Sequence, residues 1–199
     1  MVILAAVEGG GTSFVVTVAE LTQTIGEQNT IPYTRFKILH QQSIPSSSPS
    51  DTLDNASTFF TQHRPPNNGY DAVGIATFGP VGVNPHHAES YGRILPGSPK
   101  KEWRNVDILS PILLACSMEG GGGSVPPHKV DTDVNAPALA EFQYYTKHQK
   151  ERMSSLAYVT VGTGVGVGLI INSLPVHGMM HPEGRYKEFE VRLKLFSSI

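Results

Sequence analysis

The sequence predicts an α/β protein, and three observations carry that prediction. The stretches "MVILAAVEGGGTSFVVTVAEL" and "LAYVTVGTGVGVGLIINSLPV" each read as strand, glycine turn, strand. Between them, "YDAVGIATFGPVGV" is a short apolar run closed by Gly-Pro, the pattern of a buried parallel strand followed by a turn. Segments with apolar residues at helical spacing fill the intervals.

Taken in order, the first hairpin turns at "EGGGTS", and a polar Ser/Pro-rich loop follows later in "SIPSSSPSDTLDNASTFFTQH". A helix can start there at Ser50 or Asp51, with Leu53, Ala56, Phe59 and Phe60 on one face. A second helix is expected in "VDILSPILLACSM". The segment "EGGGGSVPPHKVD", with four glycines from Gly120 to Gly123, is the most linker-like part of the chain. A third helix is expected from about Asn135, with Asn135 as its N-cap and Pro137 tolerated in the first turn.

Composition narrows the function classes. Over 199 residues the chain is 39% hydrophobic and 16% charged, which suits a globular protein of one large or two small domains. A net charge of −2 offers no electrostatic reason to expect nucleic acid or an anionic membrane. No apolar stretch approaches bilayer length, and "MVILAAV" lacks a basic leader, so a soluble cytoplasmic protein is expected. The single cysteine, Cys116, excludes an intramolecular disulfide framework.

The candidate chemistry lies in the two glycine turns and in one carboxylate. A turn laid against a phosphate needs bare N–H groups and no Cβ atoms in the way. "EGGGTS" meets that need and adds the Thr12 hydroxyl and the Glu8 carboxylate; "GTGVGVG" offers a second such turn with Thr163. Either turn can equally be structural. Asp133, just before the third helix, is either a turn carboxylate or a general base at a helix N-terminus. His177 and His181 are spaced as a helical metal pair would be, but Gly178 and Pro182 oppose a regular helix there. His86 and His87 read as surface loop residues.

The ordered set "EGGGTSF", "GIATFGPVG", "YGRILPGSPKKEW", "VDTDVNAPALAEF", "TVGTGVGVG" and "HPEG" resembles the ROK family of sugar kinases, most closely its bacterial-type fructokinase branch. The resemblance implies a ribonuclease H-like, actin-like ATPase fold: a first α/β lobe over residues 1–130 and a partial second lobe over 131–199. It implies that Glu8, Gly10, Gly11 and Thr12 form a first ATP phosphate loop, and Gly162, Thr163, Gly164 and Gly166 a second. It implies that Asp133 is the catalytic base and that Thr132 and Glu183 contact the sugar. ATP, Mg2+ and a hexose, fructose above all, are the implied ligands, with a homodimer or pairing with a longer relative as the implied assembly.

The chain departs from the family pattern after Glu183. Gly184, Arg185 and Tyr186 stand where the family has Gly-His, the later cysteines have no counterpart, and the family zinc ligands are therefore not expected. Pro137 replaces a family Ala. The adenine-holding segment and the returning final helix are also not found, so weak turnover is expected. The alternative is a non-catalytic sugar- or nucleotide-binding relative. In the tail, Phe189, Val191, Leu193 and Leu195 alternate with charged residues, the period of a half-buried strand.

Overall fold

The computed structural model describes residues 1–23, 34–66, 69–117, 125–148, 153–161 and 165–177. Two sheets organise it. The first is ordered β3-β2-β1-β4-β5, from β1 (Val2–Gly9), β2 (Ser13–Gln23), β3 (Thr34–Pro45), β4 (Ala72–Thr77) and β5 (His128–Thr132). β1 pairs antiparallel with β2 and parallel with β4, and β4 pairs parallel with β5.

Period-two alternation explains why these residues form this sheet. Ile3, Ala5 and Val7 of β1, Phe14, Val16 and Val18 of β2, and Val73 and Ile75 of β4 all point into one core. Helix α1 (Pro49–Gln62) adds Leu53, Ala56, Phe59 and Phe60 to it, and α2 (Leu109–Cys116) adds Leu109, Ile112 and Ala115. α1 begins at Pro49, slightly before the expected start. Ser48 is its cap, accepting the Asp51 N–H at 3.2 Å, and proline suits the first helical position because that N–H has no intrahelical partner.

The first sheet holds two strands that the sequence reading did not predict. β3 exposes Phe36, Ile38 and Leu39 and buries only Ile44 among its large apolar residues, so its pattern is that of an edge. β5 emerges from the linker-like segment; its single apolar residue, Val130, is fully buried. β5 belongs to the first sheet through Thr132, two residues past the boundary expected between the lobes.

The second sheet is antiparallel, ordered β6-β7-β8, from β6 (Leu156–Val161), β7 (Val165–Ile171) and β8 (Leu174–Pro175). Helix α3 (Asn135–His148) covers one face, where Ala138 and Phe142 meet Ile170, Leu156 and Tyr158. The opposite face exposes Val159, Val161, Val167, Leu169, Ile171 and Leu174.

Cys116 and Tyr70 lie inside the first core, and burial pushes the Cys116 thiol from 9.0 up to about 12 and the Tyr70 phenol higher still. Both groups are neutral when protonated, so folding favours the protonated forms. Their contribution is intact below pH 9 and is lost as the pH climbs toward 12. The thermal midpoint should therefore fall between pH 9 and pH 11, and Cys116→Ala should flatten that fall. A midpoint independent of pH over that interval would contradict the burial.

Candidate functional site

The parallel strands β1, β4 and β5 end side by side. Gly9 is level with Thr77, and Thr77 with Thr132. Two backbone bonds continue this row past the strand ends: Phe78 N–H donates to Gly9 O at 2.8 Å, and Asp133 N–H donates to Thr77 O at 3.0 Å. The carboxyl ends of parallel strands are where α/β sheets bind ligands, since the chain leaves there in loops free to vary. Two strand spacings separate β1 from β5, about 10 Å, room for a phosphoryl group and an attacking hydroxyl between the two ends.

On the β1 side stands the first glycine turn. Gly10 N–H donates to Ser13 O at 2.8 Å, which closes the turn and aligns it with β2. Gly11 and Thr12 are exposed, and a Cβ at Gly11 would meet no atom within 4 Å, so the tip is open to a ligand. A Cβ at Gly9 would come within 2.6 Å of Thr77 Oγ1. That hydroxyl is fully buried and has no hydrogen-bond partner among the described residues. Glu8 is exposed at the end of β1.

On the β5 side, Asp133 is partly exposed in the turn that leads into α3. The cap expected of Asn135 is made by Thr132 instead: its Oγ1 accepts the Asn135 N–H at 3.1 Å, and Thr132 is 1% exposed. Asn135 is the first helical residue, and its Nδ2 donates to Val176 O at 3.1 Å.

A second cross-link lies next to it. Buried Asp131 accepts the Thr132 N–H at 2.8 Å, and its two oxygens lie 3.0 Å from His177 Nε2. Together the two contacts fasten the chain after β8 to the end of β5. His177 is thus a partner of Asp131; His181, its companion in the spacing, lies outside the described residues. His177→Ala and Asp131→Asn should each lower stability by about 1 kcal/mol, since half of the pair is solvent-accessible. Denaturant titration should give less than the sum for the double variant; strict additivity would mean that the two side chains do not interact.

Gly166 and Gly168 lie within β7, facing α3. A Cβ at Gly166 would meet Val134 Cγ1 at 2.7 Å, and one at Gly168 would meet Val134 O at 2.1 Å. These glycines let β7 approach the Asp133–Val134 turn. Gly162, Thr163 and Gly164 lie outside the described residues, as does Glu183.

The structure brings Lys100, from the stretch "YGRILPGSPKKEW", to the first turn. Its Nζ donates to Gly11 O and, at 3.2 Å, meets Ser46 Oγ. The ammonium sits 4.7 Å from the centre of the Phe78 ring. Among the described residues, no group of three His, Cys, Asp or Glu side chains could hold a metal ion. No helix among them is long and apolar enough to cross a membrane.

A family model described as "ROK family" matches residues 4–184. A fructokinase of Zymomonas mobilis subsp. mobilis is 32% identical over 182 residues, covering 91% of this chain and 52% of that protein. A fructokinase of Pediococcus pentosaceus is 33% identical over 181 residues, covering 91% and 52%. The chain thus spans about half the length of the curated relatives it matches. Among solved structures, a ROK family glucokinase from Streptomyces griseus in complex with glucose and AMPPNP aligns with TM-score 0.55 at 19% identity, over 90% of this chain and 47% of that one. A ROK hexokinase from Thermus thermophilus aligns with TM-score 0.56 at 20% identity, over 90% and 50%. The fold is the N-terminal part of the actin-like ATPase architecture that the sequence led us to expect.

Proposed function

The chain belongs to the ROK family, and from that premise we propose that it acts as a sugar kinase, transferring the terminal phosphoryl group of ATP to fructose. The observation that carries this proposal is the row of strand ends, which sets the open Gly10–Thr12 turn and Asp133 on either side of Thr77.

In this reading Asp133 accepts the proton of the attacking sugar hydroxyl, and the N–H groups of the turn face the charge that develops on the phosphoryl oxygens. Phosphoryl transfer depends on such positioning and electrostatics more than on covalent chemistry by the protein. Glu8 and Thr12 border the first turn, with Gly162, Thr163, Gly164 and Gly166 assigned to the opposite side of the triphosphate. Thr132, buried as it is, shapes the floor beneath the sugar, and Glu183 supplies a hydroxyl contact. Mg2+ enters this reading bound to the phosphates of ATP. The division into a first lobe and a partial second lobe is retained, with the boundary moved to the Thr132–Asp133 junction.

The test is a coupled assay for fructose 6-phosphate with fructose and Mg·ATP, run in parallel with glucose and mannose. Product from fructose ahead of the other sugars supports the proposal; none from any hexose sinks it.

The aliphatic outer face of the second sheet favours a second reading, a non-catalytic sugar- or nucleotide-binding chain that pairs with a copy of itself or with a longer relative. Calorimetry separates the two: this reading expects heat from fructose or ATP without turnover, and it fails if neither ligand binds.

A further inference from the structure

We propose that Lys100 is a phosphate-binding residue of this site, meeting the terminal phosphate of ATP at the tip of the first glycine turn; the proposal rests on the kinase reading above.

Three observations carry it. First, the Lys100 ammonium is already at the turn, on Gly11 O, between Ser46 Oγ on the β3 side and the Phe78 ring on the β4 side. Second, the position is held from below. Lys100 opens a short 3-10 turn, Lys101–Trp103, whose fully buried Trp103 stacks on Phe14 at 5.2 Å and meets Phe78 edge-on at 5.4 Å. Ser98 Oγ also accepts the Lys100 N–H at 3.3 Å. The backbone at Lys100 is therefore held against the core while the partly buried side chain ends at the turn, the arrangement in which a lysine can change partner by rotating its last bonds. Third, the turn offers neutral N–H groups, whereas the terminal phosphate carries more charge than either of the other two. A cation beside that tip supplies what the glycines cannot.

A lysine that merely props the turn would make the same bonds in the absence of ligand, so the test must separate charge from support. Affinities for ATP, ADP and AMP are measured by calorimetry on the full chain and on Lys100→Met, Lys100→Gln and Lys100→Arg. We expect Met and Gln to weaken ATP roughly tenfold, as loss of a charge-assisted contact does, while AMP changes by less than about twofold and Arg retains most of the affinity. Equal weakening of all three nucleotides, or no weakening of ATP, overturns the assignment and leaves the kinase reading standing. No nucleotide binding by the unaltered chain overturns both.

Discussion

Asp133→Asn should lower the rate of phosphoryl transfer to fructose by about 10²–10⁴-fold, the usual consequence of removing a general base, or about 3–5 kcal/mol of barrier. The amide matches the carboxylate in shape but cannot take the proton of the attacking hydroxyl. The backbone bond from Asp133 N–H to Thr77 O is unaffected by the change, so the turn keeps its place on the sheet. Asp133 is partly exposed, and loss of its charge should move the thermal midpoint little. Fructose and ATP binding should likewise persist. An Asn variant that turns over at the original rate would remove Asp133 from the mechanism. One that fails to fold would show that the carboxylate has a structural duty.

Gly168→Ala is the second large effect. The added methyl would lie 2.1 Å from Val134 O and 2.9 Å from the Ala138 Cβ. Val134 O already accepts the Ala138 N–H at 3.1 Å in the first turn of α3. The obstacle is backbone, so it cannot rotate away; β7 and α3 must separate or the turn must shift. Overpacking of this kind costs about 2–3 kcal/mol. Because Val134 follows Asp133, the shift should also reduce turnover beyond what the lost stability accounts for. Thermal melts and rates of Gly168→Ala, alongside Ala157→Gly on the opposite face, give the comparison. A fully stable Gly168→Ala would mean that β7 and α3 are less closely packed than the structure has them.

These two residues also show what was legible in the sequence. Hairpin β1–β2 was readable from two Val- and Ile-rich runs on either side of "EGGGTS", and β4 because its apolar run ends at Gly-Pro. The motif order from "EGGGTSF" onward carried the family, and the roles proposed for Asp133 and the first turn rest on that resemblance. β5 was not readable: "HKVDT" has one apolar residue and is a strand because β4 pairs with it. The same limit applies to Gly166 and Gly168. The contact with Val134 that leaves no room for a Cβ at either position comes from tertiary packing, which composition does not report.

No local signal pairs Lys100 with Gly11, or Asp131 with His177. Lys100 and Gly11 are 89 residues apart in sequence, and Asp131 and His177 are 46 apart. Spacing along a chain reports neighbours on one helix or strand, not partners brought together by the fold. The Asn135 cap failed for the same reason. Asn135 is already helical, and its side chain is engaged with Val176 O, 41 residues on, a contact that the local sequence does not show.

The most direct measurement is the time course of fructose 6-phosphate formation by the purified chain with fructose and Mg·ATP, with Asp133→Asn as the paired control. The kinase account predicts product from the unaltered chain, slowed by at least about 10²-fold in the variant. Product at equal rates from both proteins, or no phosphorylated hexose from a chain shown to be folded, would contradict it.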